Sequence, residues 1–268
     1  MASYTGPERI TPAMSSAVYT KFLADSRRGL IAWAIGAAVV GMGYASTYPD
    51  QKDNTDSLPA GLRDSLHVDG TAAGYLQAAV FGLILPLLLM IYGIAAGLRA
   101  TASDEESGQL DLLLAHPVTR TRVVLQRFAS VATGALAITF VIFLALLAIR
   151  TSAELDSITP VELLAQCVNL FLLSVTFAAL AFGLGTAFGS KVVTLAGSAA
   201  VGVIAYMGNS LYAQIGDGIK YVSPLYYYLG GEPLRNGFQW GDIAVLVVLS
   251  VVFLGLGTVR FNRRDVNC

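Results

Sequence analysis

Six stretches of the chain run without a single Lys, Arg, Asp, Glu or His: residues 29–48, 75–98, 128–149, 163–189, 192–212 and 243–259. About 20 residues at a rise of about 1.5 Å each cross the hydrocarbon of a bilayer, so each stretch predicts a transmembrane helix. Only Ser190-Lys191 separates the fourth from the fifth, and Gly183, Gly185 and Gly189 favour a turn there over one very long helix. Pro86 lies inside the second stretch, has no N–H for the carbonyl of Gly82, and predicts a kink. The small-residue pairs Gly93/Gly97, Gly185/Gly189 and Ser198/Gly202 predict close helix contacts. The few polar side chains near the spans, Asn169, Ser174, Thr176, Asn209 and Ser210, are expected to hydrogen-bond within the bundle. The pattern is that of an all-α membrane protein with six transmembrane helices.

The polar segments between the stretches orient the bundle. An even number of spans puts both termini on one side. The N-terminus, the 99–127 loop, the Lys191 turn and the tail hold twelve of the 17 Lys and Arg residues, leaving five for the other side. That split predicts cytoplasmic N and C termini. The first outer loop is acidic, with Asp50, Asp53, Asp56, Asp64 and Asp69, and tyrosines cluster at the outer ends of the spans.

Residues 1–28 hold no apolar run of signal-peptide type, so the first span is expected to stay in the mature chain. Thr11 and Pro12 suit a helix start; Met14, Val18 and Phe22 recur at i+4, with Lys21, Arg27 and Arg28 beside them. This reads as an amphipathic N-terminal helix against anionic headgroups. Residues 214–241 are too long for a turn and too broken by glycine and proline for a span. They read as a short re-entrant outer segment before the sixth span, sealing the bundle or gating an exit. Residues 261–268 form a cytoplasmic tail.

Composition narrows the chemistry. Apolar residues make up 55% of the 268 and charged residues only 13%, too few for the surface of a soluble domain. A nucleic-acid-binding domain is excluded, and the lipid bilayer becomes the first partner. Cys167 and Cys268 form no disulfide framework, and with His67 and His116 they offer no metal pattern. The spans lack the histidines of a haem bundle and the ionisable groups of a proton relay. A Walker A loop needs a lysine after glycine, and none of Lys21, Lys52, Lys191 and Lys220 follows one. Any ATP-driven transport must draw its energy from a partner.

The 99–127 loop carries the most information. Ser103 and Glu106 have capping-box spacing, Asp104, Glu105 and Glu106 suit the positive end of a helix, and Leu110, Leu113 and Leu114 form an apolar stripe. Pro117 ends the helix. From these residues alone, the helix either rests on the membrane surface or docks a partner.

One stretch then makes a resemblance specific, and two others support it. Glu105-Glu106-Ser-Gly108-Gln-Leu110-Asp111-Leu-Leu113-Leu-Ala-His-Pro117-Val-Thr-Arg120 resembles the E-x-G-T-L-E/D-x-L-L-x-x-P-[VI]-[ST]-R stretch of ABC-2-type transporter permeases. Gln109 stands where that family has Thr. The Asp-Ser-Arg27-Arg28-Gly-Leu approach to the first span is similar too, as is the tail Arg260-Phe261-Asn262-Arg263-Arg264-Asp265.

The resemblance implies a stand-alone, six-span permease domain over residues 29–260, itself no enzyme. It would be powered by a separate ABC ATPase subunit that binds the ATP and magnesium; no cofactor is expected in this chain. Residues 103–115 would be the coupling helix, with Glu105, Glu106, Gly108, Leu110, Asp111 and Leu113 docking the ATPase. A second permease copy or a paralogue would complete the pathway. The expected activity is export of a lipophilic or amphipathic substrate across the plasma (inner) membrane. A facilitative or sodium-coupled carrier and a non-transporting scaffold are the competing readings.

Overall fold

A computed structural model of the chain describes residues 17–56, 71–103, 120–215, 221 and 223–263. Six helices are long and apolar enough to cross a membrane, matching the six stretches in number and order, and no strand occurs among the described residues. Helix α1 (Ala17–Ala45) contains the first span and runs through Arg28 without a break. A short polar helix, α2 (Tyr48–Asp56), follows.

The second span is composite. It begins as α3 (Ala72–Tyr75), whose cap Thr71 accepts from the Gly74 N–H at 3.1 Å. It then widens into a π-helical segment, Leu76–Ile84, returns to α-helix in α4 (Leu85–Leu98), and ends in a second π segment, Arg99–Ser103. The widening ends at Pro86: the Leu85 N–H donates to the Val80 carbonyl, five residues back.

Helix α5 (Arg120–Ala148) is the third span and α6 (Pro160–Phe188) the fourth. A reciprocal cap starts α6: the Glu162 N–H donates to Thr159 Oγ1 at 3.3 Å, and the Thr159 N–H donates to Glu162 Oε2 at 2.7 Å. Gly189 stops it at φ 65°, a left-handed conformation that favours glycine. That is the turn expected before the fifth span, α7 (Lys191–Ile215). Two short helices, α8 (Pro224–Leu229) and α9 (Pro233–Asn236), lead to the sixth span, α10 (Trp240–Arg263).

Helix α6 is the hub. Of its most apolar stretch 78% is buried, against 22% for α1 and α7 and 17% for α10. Small residues let neighbours approach it, as the spacing predicted. A Cβ on Gly93 would collide with the Ser174 carbonyl, one on Gly97 with the Ala178 carbonyl, and one on Gly185 with Thr101. Ser174 Oγ donates to the Leu89 carbonyl at 2.9 Å across the same seam. Phe81, Leu85, Leu89, Ile138, Leu170 and Phe177 fill the core between these helices.

The two sets of cations sorted in the sequence meet at opposite ends. At one end Lys52 pairs with Glu154 at 3.0 Å, Arg235 donates to Thr71 Oγ1 at 3.4 Å, and Tyr75 donates to the Tyr44 carbonyl at 3.1 Å. At the other, Arg99 lies over the Phe22 ring at 5.7 Å and Arg260 over Phe188 at 5.9 Å. We call these the tyrosine-rich and basic ends.

Candidate functional site

At the basic end the second span finishes at Ser103 and the third begins at Arg120. The six expected docking residues, Glu105, Glu106, Gly108, Leu110, Asp111 and Leu113, fall between them and lie outside the described residues. What is described is the frame that presents them. Arg127 of α5, counted in the sequence among the loop cations, is only 4% exposed. Its Nη1 donates to the Ala100 carbonyl at 2.8 Å, tying α5 to the last π turn of the second span. Arg127 shares the lining of a small apolar pocket with Val123, Val124, Phe182, Thr186 and Phe261. Phe261 brings the tail of α10 into the same cluster, and Phe128 packs edge-on to Phe182 at 5.7 Å. Charge counting could not foresee this burial. The hint lay in spacing, because Arg127 falls one helical turn after Val123. Beside this frame, Leu30, Trp33, Tyr92 and Ala96 line an apolar groove of about 130 Å³ that also touches Arg99.

At the tyrosine-rich end, Pro86 sets the chemistry. Its missing N–H falls where the register changes, and would have served one of two carbonyls of the second span, Gly82 in α register or Phe81 in π register. Two tyrosine hydroxyls serve them. Tyr206 of α7 donates to the Gly82 carbonyl at 3.3 Å, and Tyr228 of α8 to the Phe81 carbonyl at 2.9 Å. Tyr228 is fully buried. Burial pushes its phenol well above the ordinary tyrosine range, so it stays a donor.

The C-terminal carbonyls of α8 need partners as well. Asn169 Nδ2 donates to the Tyr228 carbonyl at 3.4 Å, and Gln77 Nε2 to the Leu229 carbonyl at 3.2 Å. At the other end of α8, Ser223 Oγ accepts from the Leu225 N–H at 3.3 Å and donates to the Ala205 carbonyl at 2.9 Å. The short helix is thus latched to the second, fourth and fifth spans.

Beneath it, Gln166 is wholly buried, and neither end of its amide has a hydrogen-bond partner. It lies beside the Tyr228 phenol. Of the polar residues singled out in the spans, Ser174 and Thr176 take bundle-internal bonds, as expected. Asn169 takes the latch, and the side chains of Asn209 and Ser210 lie outside the description. Gln77 and Gln166 were missed; each falls in the first turn of its apolar stretch, where a polar side chain reads as part of the span's end. The available signal was a glutamine in an otherwise apolar run. No cluster of His, Cys, Asp or Glu suited to a metal occurs among the described residues.

Among the described residues, an all-helical bundle with six helices long and apolar enough to cross a membrane defines a multi-pass membrane protein. The family described as ABC-2 family transporter protein matches residues 16–266, and the chain belongs to that family. It is therefore a permease component of an ABC transporter, which implies association with an ABC ATPase and sets aside the secondary-carrier and scaffold readings. A comparison with curated proteins finds no match.

Proposed function

We propose that this chain is the membrane subunit of an ATP-driven exporter in the plasma membrane, with the basic end and both termini in the cytoplasm. Residues 103–115 act as its coupling helix. Family membership over residues 16–266 carries this reading. The frame around Arg127 supports it, since the loop is rooted between two spans locked together at Ala100. A push on the loop from a partner's ATPase cleft would reach the seam between the second and third spans directly. ATP and magnesium act in that partner, because this chain has no phosphate-cradling loop.

The exposed apolar faces of α1 (Ile31, Ile35, Val39) and α7 (Val203, Ile204, Met207) are the surfaces available to lipid and to a second permease copy or paralogue. The apolar groove beside Arg99 suits a lipophilic or amphipathic cargo. The α8–α9 segment is the outer re-entrant cap.

The coupling assignment is tested at Leu113. If residues 103–115 dock in an ATPase cleft, Leu110 and Leu113 are buried there, each worth roughly 1.5–3 kcal/mol before association costs. Leu113→Asp removes that burial and places an unpaired carboxylate in the contact. The variant should insert normally yet fail to retain the ATPase on co-purification, whereas Glu105→Lys should weaken retention only mildly. Wild-type retention by Leu113→Asp would falsify the assignment.

A further inference from the structure

The carboxamides beneath α8 hold more hydrogen-bonding capacity than the closed arrangement uses. Gln77 and Asn169 give their N–H groups to the carbonyls of Leu229 and Tyr228. That fixes both amides, because a carbonyl accepts only from the nitrogen end. The opposite atoms, Gln77 Oε1 and Asn169 Oδ1, are buried without a partner, as are Gln166 Oε1 and Nε2. Asn169 and Gln166 are at least 99% buried. The atoms without a partner are therefore three amide oxygens and the Gln166 nitrogen, on side chains set beside Tyr228 and Leu229.

Unmet buried polar groups cost free energy unless something binds them. A phosphate, sulfate or carboxylate head would find amide N–H groups but no Lys or Arg among these groups to offset its charge. An ammonium would find oxygens but no carboxylate among these groups. A hydroxyl both donates and accepts, so several hydroxyls on a neutral scaffold match the set.

We propose that Gln77, Gln166 and Asn169 form a binding site, covered by α8, for the hydroxyl groups of a neutral, polyhydroxylated headgroup on an amphipathic molecule. That the molecule is cargo rests on the transporter reading; the binding does not. The cover is held by Tyr228 Oη on the Phe81 carbonyl and by the two carboxamide bonds. When those three bonds part, the carboxamides face the ligand, and its hydroxyls replace the α8 carbonyls as their partners.

The test uses the full chain, purified into nanodiscs, and three photoreactive probes with the same dodecyl chain: a β-glucoside, a phosphocholine and a sulfate. The glucoside should label saturably within α6, and the two charged heads only weakly. Gln166→Met, close in size to glutamine, should weaken glucoside binding about tenfold or more. The same variant should leave the thermal midpoint unchanged or raise it, since it removes a buried amide that lacks a partner. Equal labelling by all three probes would show that only the alkyl chain is read. Wild-type glucoside binding by Gln166→Met would show that the amide reads nothing. A lowered midpoint would mean that water alone already satisfies the amide. Each of these outcomes overturns the site.

ATPase retention by Leu113→Asp is read separately. If Gln166→Met loses the glucoside while Leu113→Asp keeps the ATPase, the coupling assignment fails and the site stands. The reverse pattern removes the site and leaves the assignment.

Discussion

The fourth and sixth spans are of nearly equal hydropathy, yet 78% of one and 17% of the other is buried. What separates them is the residues between the apolar ones. Helix α6 carries Gln166, Asn169, Ser174, Thr176, Gly183 and Gly185, all buried. Helix α10 turns Val247, Val248, Val251 and Val252 outward. It meets the bundle along a narrow stripe of Leu246, Ser250, Gly257 and Phe261. In water an apolar face marks the inside. In lipid, apolar side chains are equally at home outside, so small and polar residues mark the close contacts instead.

The comparison breaks first at glycine. On α10, a Cβ at Gly257 would strike Gly183 and Thr186 of α6, whereas Gly255, two residues earlier, has open space. Gly257→Leu must force the helices apart at a backbone contact, and about 3 kcal/mol or more of stability should be lost. Gly255→Leu should stay within about 0.5 kcal/mol. Thermal unfolding of the two variants in bicelles checks this. Equal losses would mean that α10 is held by its whole surface rather than along one stripe.

A smaller contrast comes from truncation. Leu170 on α6 is fully buried, and Val251 on α10 is 63% exposed. Leu170→Ala should cost about 2 kcal/mol of packing, because lipid would fill no part of the cavity. Val251→Ala should be near neutral in the isolated chain. A loss at Val251 that appears only at high protein-to-lipid ratio would place a second copy on that face.

The same contrast explains what was legible in the sequence. Charge-free runs gave six spans, the glycines gave the break at Gly189, and Gly93 with Gly97 marked a close helix contact whose partner, the fourth span, only the structure shows. Hydropathy could not tell which span is central, because burial in lipid leaves no hydrophobic signature. Pro86 was visible as a break, but the π register before it and the two tyrosines serving Phe81 and Gly82 depend on residues more than 120 positions away. Arg127 was counted correctly as a basic-end cation; its burial goes with a bond to the Ala100 carbonyl, 27 residues back in the chain. The proposed docking residues rest on a local motif alone and lie outside the described residues.

The finest test concerns the polar tie between the two helices. Thr176 Oγ1 lies 3.0 Å from Ser250 Oγ and 3.3 Å from the Leu246 carbonyl, and it also reaches the Leu172 carbonyl of its own helix at 2.8 Å. Ser250 Oγ has an acceptor on its own helix, the Leu246 carbonyl at 2.9 Å. One hydroxyl proton cannot serve three acceptors, so the cross-helix bond competes with bonds inside each helix. Removing either partner leaves the other satisfied, and no buried group is orphaned. A double-mutant cycle of Thr176→Val and Ser250→Ala should therefore yield a coupling of only about 0.6 kcal/mol, the usual size for hydroxyl pairs between spans. Far less than the Gly257→Leu loss, that value assigns the attachment of α10 to close packing at glycine, with the hydroxyls setting rotation. A coupling above about 1.5 kcal/mol would reverse the assignment. The polar residues of α6 would then be what holds the sixth span, and its small residues only what lets it approach.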